Sequence, residues 1–401
     1  LKYKVLEEYL KKIMDIERLH RRMGLKILQP ADFSNLDMAY QSIISLINNK
    51  NIFSKNTEIK KILPSPEIIS KFQNLLQEYT DLFDLDEIGK YHLNNITGSF
   101  FRVGKIPEID TLQEKIHKYR NRLDKLADKL SYYIEKHSQF VKVEYTDKDG
   151  YYLQTTKKRG EVLRKSFNNL GNKTFTVSDE YDTLTLKPKD FELKFLKDRT
   201  KINSDLITKI SYRLRTLQAS LQQKTCEVYL EKLEYFYENY HLVLQKISLL
   251  VVQLDFFKSN AKTAIMFGYT EPVMIPNKKS FVNIKNMRHP IIERISTSSE
   301  YVPNDVIIGL ENIDGMLLYG CNAVGKSSLM KAIGLNIIMA QAGMYVAASE
   351  FIFQPFDYIF TRISDNDNLF KGQSSFAVEM SELRSILKRS NSRSMVLGDE
   401  L

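Results

Sequence analysis

The sequence predicts an α + α/β fold: a long-helix domain carrying a small β-rich insertion, followed by an α/β domain built on a phosphate-binding loop. Three observations lead there. Apolar residues recur at spacings of three and four from Ile109 to Tyr133 and again from Ile210 to Leu221. Residues 141–201, between those runs, switch to two-residue alternation. From Gly268 onward, short apolar runs alternate with helical segments, and one run leads into a glycine-rich loop.

The chain has 401 residues, enough for a sizeable core. Hydrophobic residues make up 43% and charged residues 27%, a globular composition. Lys and Arg total 58 against 49 Asp and Glu, a net charge of +9, which points to a polyanionic partner. Two cysteines, Cys226 and Cys321, exclude a disulfide scaffold and a cysteine-rich zinc site and fit a reducing compartment. No charged-then-apolar leader is expected, and no run reaches the roughly 18 residues that span a bilayer. The best candidate, 242–257, is broken by Gln245, Lys246, Gln253 and Asp255. An intracellular, DNA-containing compartment is expected, with no membrane partner.

The first long helix follows from Ile109, Leu112, Ile116, Tyr119, Leu123, Leu126, Leu130 and Tyr133, a heptad seam in a proline-free stretch. The second is expected over 202–259, where Ile210, Leu214, Leu217 and Leu221 keep the spacing. Two long helices flanking an insertion read as an antiparallel stalk with a tip, or as an ordinary bundle. The boundaries are 1–140 and 202–267 for the helical part, 141–201 for the insertion and 268–401 for the α/β domain.

In the insertion, 141–145, 150–152, 174–177 and 183–186 read as short strands. From Lys157 to Lys201 there are twelve Lys/Arg and seven Asp/Glu, so more than half of the chain's net charge lies there. Lys157, Lys158, Arg159 and Lys173 are candidate contacts to a phosphate backbone; a solvated polar loop would have the same composition.

In the last domain, 306–308, 315–319 and 395–397 read as buried parallel strands. Gly320-Cys321-Asn322-Ala323-Val324-Gly325-Lys326-Ser327 matches G-x-x-x-x-G-K-[ST], with an apolar strand expected before it at 316–319 and a helix after it at 328–342. The glycines let backbone N–H groups turn toward phosphate oxygens. Lys326 would reach the β- and γ-phosphates of a nucleotide, and the Ser327 hydroxyl would ligate Mg²⁺. The apolar 395–398 run ends in Asp399-Glu400, a Walker-B pattern: Asp399 would hold Mg²⁺ and Glu400 would orient or deprotonate the attacking water. The chain therefore reads as stopping at an active site, as a fragment. A reading of Gly398-Asp399-Glu400-Leu401 as an ER-retrieval signal fails on its first residue. Gly372, Ser374 and Ser375 precede an amphipathic run at 378–387, either as a local cap or as a second anion site.

Several blocks carry a family resemblance. Asp15-Ile16-Glu17-Arg18-Leu19 with Gly24 and Pro30-Ala31-Asp32-Phe33, Gly150-Tyr151-Tyr152-Leu153-Gln154-Thr155-Thr156, Arg288-His289-Pro290, Gly343-Met344-Tyr345-Val346-Ala347-Ala348 and Ile359-Phe360-Thr361-Arg362 occur in that order. Most specific is the run from Asp367 to Met380, which fits D-x-L-x-x-G-x-S-[ST]-F-x-x-E-M. Together they resemble the MutS family of DNA mismatch-repair ATPases over nearly the whole chain. The resemblance implies a helical core and lever (1–140, 202–267), a DNA-touching clamp (141–201) and a partial ABC-like P-loop ATPase domain (268–401).

It also implies ATP and Mg²⁺ as cofactors, double-stranded DNA (mismatched or branched) as partner, and a homo- or heterodimer with another MutS-like subunit. ATP would contact Gly320, Asn322, Ala323, Val324, Gly325, Lys326, Ser327 and Ser328, with Tyr301 stacked on adenine. Gly372, Ser374 and Ser375 would act on the partner's nucleotide. The family loop commonly reads Gly-Pro-Asn-Met-Gly-Gly-Lys-Ser-Thr; here Cys321, Ala323-Val324 and Ser328 depart from it, which points to a divergent branch such as the viral or mitochondrial one. The family's mismatch-reading and connector domains are not among the matching blocks. Two other readings stand beside this one: a MutS-like recombination factor that binds branched DNA, and an SMC- or ABC-like ATPase. Both nucleotide motifs following the stalk disfavours the SMC order.

Overall fold

The computed structural model describes residues 2–53, 57–178, 183–295, 301–321, 324–362 and 375–399. The chain divides into two compact units, residues 8–251 and residues 1–7 with 252–401.

In the first unit, α1 (Ile16–Gly24) begins where the Asp15 carboxylate accepts the Arg18 N–H at 3.0 Å, an N-cap that satisfies an orphan donor. It ends on Gly24, where a Cβ would lie 2.7 Å from the Tyr237 ring. α2 (Pro30–Ile47) starts on a proline whose missing N–H falls at an orphan position, and Arg22 Nη1 meets Asp32 Oδ2 at 2.8 Å. α3 (Pro66–Leu82) is capped by Ser65. These helices enclose Phe33, Tyr40, Phe72 and Tyr79, packed with Tyr229 and Phe236. Phe33 and Tyr79 meet edge to face, 5.1 Å between centroids.

α4 (Pro107–Tyr132) carries the heptad seam as expected. Ile109, Leu123, Leu126 and Leu130 are buried, and Leu112, Ile116 and Tyr119 are half-buried against the core. The insertion follows: β1 (Lys142–Thr146), β2 (Gly150–Thr156), α5 (Lys157–Leu170), β3 (Phe175–Ser178), β4 (Thr183–Leu186), β5 (Phe191–Phe195) and β6 (Arg199–Ser204). Its main sheet runs β1-β2-β6-β5 with antiparallel neighbours, and β3 pairs β4 in a hairpin. The short strands expected at 141–145, 150–152, 174–177 and 183–186 are present as β1 to β4, and among them lies a helix that the sequence reading did not anticipate, α5. Its buried face is Gly160, Leu163 and Phe167. A glycine in that face weakens the apolar signal, yet it is what lets α5 lie on β6: a Cβ at Gly160 would collide with Thr200.

α6 (Asp205–Phe267) is one 63-residue helix. It begins three residues later than expected, since Ile202 belongs to β6 and pairs with Leu153 and Leu193. Ile210, Leu214 and Leu221 are buried. Contacts with α4 run in opposite directions: Glu108 pairs with Lys224 and Tyr119 with Arg213. The two helices are therefore antiparallel, as the stalk reading requires. An 18-residue window of α6 reaches a mean hydropathy of 1.2, so one helix is long and apolar enough by composition to cross a bilayer, contrary to the sequence expectation. Its Val243, Leu244, Ile247 and Leu250 are buried in protein core.

The second unit contains β7 (Val273–Met274), β8 (Phe281–Met287), β9 (Asn304–Ile308), α7 (Lys326–Gln341), β10 (Glu350–Gln354), β11 (Tyr358–Arg362), α8 (Ser375–Arg389) and β12 (Ser394–Gly398). One sheet runs β7-β10-β8-β9 and a second pairs β11 with β12 in parallel. Two strand expectations are corrected. The 306–308 run lies in β9 but pairs antiparallel with β8. The 316–319 run is not a strand: Leu317 and Tyr319 are 88% and 90% exposed. A strand exists only through its neighbour's backbone groups, and no described residue offers this segment a ladder. The core gathers Val282, Ile284, Val306, Ile333, Ile337, Phe351, Met395 and Leu397.

Candidate phosphate site

α7 starts directly on Lys326, two residues earlier than the periodicity alone indicated. Its N-cap is Gly325 with φ +98°, and Gly320 has φ +155°. A left-handed cap favours glycine strongly. Among the described residues no side chain caps this end, so the leading N–H groups of a 16-residue helix carry the positive end of the helix dipole, an arrangement suited to an anion. Lys326 Nζ donates to the Gly320 and Cys321 carbonyl oxygens at 2.7 and 2.9 Å. The ammonium thus sits within its own loop. Ser327 and Ser328 are half-buried in the first turn.

β12 delivers Asp399 to the same place. The parallel register with β11 sets Gly398 opposite Arg362, and Asp399 N–H donates to the Arg362 carbonyl at 2.8 Å. Arg362 is buried, with its guanidinium 3.4 Å from the Asp399 carbonyl and 3.8 Å from Glu382 of α8. Lys326 and Asp399 line one cavity of about 610 Å³, floored by Met330, Ile333, Met395 and Leu397. The structure therefore brings the two motif ends together. Asn322, Ala323, Gly372, Ser374 and Glu400 lie outside the described residues, as does the side chain of Ser375, whose backbone opens α8. Val324, within the loop, is exposed.

Tyr301 does not line that cavity. It stands beside His289, 6.4 Å between ring centroids, and burial raises its phenol pKa. His289 Nδ1 accepts the N–H groups of Ile291 and Ile292 at 3.2 Å, and burial holds its pKa below the usual value. The ring is therefore a neutral cap with its proton on Nε2. Arg288 donates to the Phe267 and Gly268 carbonyls at 3.1 Å and meets Glu293 at 3.0 Å. These roles for Arg288 and His289 were not readable from spacing, because caps and carbonyl clamps depend on where the chain turns back.

The basic candidates of the insertion fall on one helix end. Lys157 and Lys158 are exposed in the first turn of α5, Arg159 stacks over Phe140 at 3.5 Å, and the first turn holds no acidic residue. Cations at the positive end of a helix dipole oppose helix formation and reinforce attraction for anions. Lys173 is exposed beyond the other end of α5. Among the described residues, no group of three or more His, Cys, Asp or Glu is placed to hold a metal.

With this geometry in view, known proteins prove similar along the whole chain. Residues 316–401, which hold the phosphate loop and β12, match the family model of MutS domain V. A mutS homologue of Acanthamoeba polyphaga mimivirus is 30% identical over 447 residues, covering 100% of this chain and 39% of that protein. The mitochondrial DNA mismatch repair protein mutS homologue of Sarcophyton glaucum is 30% identical over 98% of this chain and 38% of its own length. The DNA mismatch repair protein MutS of Carboxydothermus hydrogenoformans is 28% identical over 99% of this chain and 43% of its own length. The chain is similar along its whole length to proteins of the MutS family, and it spans about two fifths of the length of these relatives.

Proposed function

We propose that this chain is the ATP-binding and DNA-engaging part of a mismatch-repair protein, in which ATP binding and hydrolysis govern closure on duplex DNA. The observation that carries the reading is the convergence of Lys326 and Asp399 on one cavity at the N-terminal end of α7. Names of relatives along the whole chain point the same way.

In this reading residues 268–401 form an ABC-like ATPase domain. The Gly320–Ser328 loop, including Asn322, Ala323 and Val324, wraps the phosphates. Lys326 exchanges its two loop carbonyls for β- and γ-phosphate oxygens, a stronger pairing because both partners are charged. The Ser327 hydroxyl and Asp399 carboxylate are the hard oxygen donors Mg²⁺ prefers, and they would hold it there. When bound, Mg²⁺ offsets phosphate charge. Glu400 orients the attacking water, and Tyr301 offers an aromatic face to adenine. Gly372, Ser374 and Ser375 act on the nucleotide of a second MutS-like subunit in a homo- or heterodimer. Lys157, Lys158, Arg159 and Lys173 grip the phosphate backbone without reading bases.

The test is labelled-ATP binding to the full-length polypeptide. Lys326→Ala should weaken it about tenfold or more, the value of a charge-assisted bond. Equal affinity in the two proteins would overturn the site. Competition between mismatched, branched and perfect duplex then assigns the DNA preference.

A further inference from the structure

Two buried asparagines hold one short segment from two helices. Asn336 of α7 is fully buried; its Nδ2 donates to the Arg288 and Ala332 carbonyls at 3.1 and 2.9 Å, and its Oδ1 accepts the Ala347 N–H at 2.8 Å. Asn260, in the last turns of α6, is also buried; its Nδ2 donates to the Gly343 carbonyl at 3.1 Å and its Oδ1 accepts the Tyr345 N–H at 3.0 Å. Both amides therefore use both ends on backbone groups. Between them the 343–348 segment is further zipped to residue 270: Thr270 and Val346 exchange backbone bonds at 3.0 and 2.9 Å, and the Thr270 hydroxyl donates to the Ala348 carbonyl at 2.7 Å. Arg288 N–H takes the Ala347 carbonyl at 2.7 Å.

Such bonds are directional, and a buried amide that loses one partner bears the desolvation cost of the orphaned group. Apolar packing tolerates a slide; these bonds do not. The segment must follow α7 at Asn336, and Asn260 must follow the segment. α7 begins at the phosphate loop, ten residues or roughly 15 Å from Asn336 along the axis.

We propose that Asn260 and Asn336 are positioning residues that latch the 343–347 segment and pass a displacement of the phosphate-loop helix to the last turns of α6. This rests on the nucleotide-binding reading above and extends it: the same helix that meets phosphates carries the signal out. It predicts that nucleotide occupancy is reported by the backbone of residues 255–267 through hydrogen bonds that neither nucleotide nor phosphate loop touches.

The experiment is hydrogen–deuterium exchange of residues 255–267 in the full-length polypeptide, with and without ADP, alongside ADP affinity. In the unmodified protein, ADP should slow exchange there about tenfold. Asn260→Leu, close in shape but unable to make either bond, should keep ADP affinity within about twofold and lose that protection. Thr270→Val, which removes only the hydroxyl bond to Ala348, should keep both. Exchange at 255–267 that ignores ADP in the unmodified protein overturns the latch, whether or not any variant folds. Protection persisting in Asn260→Leu overturns it as well. Failure of the unmodified protein to bind ADP is a separate result, which removes the nucleotide reading and the latch with it.

Discussion

Gly334 of α7 and Leu397 of β12 meet with no side chain between them: a Cβ on Gly334 would lie 2.6 Å from Leu397 Cδ1. This contact lets the helix that starts at Lys326 lie against the strand that ends at Asp399. Alanine would add about 1 kcal/mol of helix propensity but must displace a buried leucine tip. Gly334→Val, larger and β-branched, should lower stability by about 2 kcal/mol through overpacking, and Leu397→Ala should recover part of that loss. Denaturant midpoints of the two single variants and the double variant measure the coupling; an unperturbed Gly334→Val protein would mean the helix and strand do not approach this closely.

His20 gives a pH signature. It is buried between the Tyr40 hydroxyl, 2.7 Å from Nε2, and the Ser248 hydroxyl, 3.2 Å from Nδ1, and burial lowers its pKa from 6.5 to about 4. The fold prefers the neutral ring, whereas the unfolded chain takes up a proton below about 6.5. The contribution is complete above that pH and is lost as pH falls toward 4, about 3 kcal/mol in all. Stability measured from pH 7 to pH 4 should fall less steeply in His20→Gln than in the unmodified protein. Parallel slopes would assign the acid sensitivity elsewhere.

The first turn of α5 should contribute to DNA affinity through charge alone. Replacing Lys157, Lys158 and Arg159 with glutamine should weaken duplex binding by similar factors for any sequence. Each phosphate contact removed should flatten the plot of log affinity against log salt by about 0.9. A salt slope that does not move with the triple substitution excludes this helix end from the interface.

Glu400 should separate binding from turnover. Glu400→Ala should retain ATP affinity and cut hydrolysis at least about a hundredfold, the usual scale for a residue that positions or deprotonates water. Single-turnover hydrolysis at the unmodified rate would take Glu400 out of the chemistry.

Local patterns were legible wherever one element carried the whole signal. The α4 seam from Ile109 to Leu130 is such a case, since each apolar residue advertises the same helix face. The helix start after Gly325 and the 394–398 strand ahead of Asp399 are others. The 316–319 run misled because an apolar run reports a wish to be buried, while strand formation needs a partner's backbone. α5 went unread because Gly160, the residue that seats it on β6, is the gap in its apolar face. Arg288, His289, Asn260 and Asn336 gave no warning either, since their partners are backbone groups whose positions depend on distant turns.

The sequence by itself carried the family resemblance, the heptad helices and the glycine-framed motif ahead of α7, because those are properties of short stretches of chain. Only the tertiary structure decided that Lys326 and Asp399 share a cavity, that β9 runs antiparallel to β8, and that two asparagines close on one segment. Those outcomes depend on strand pairing and on close helix–strand approach at glycine, which bring together residues that no local pattern relates.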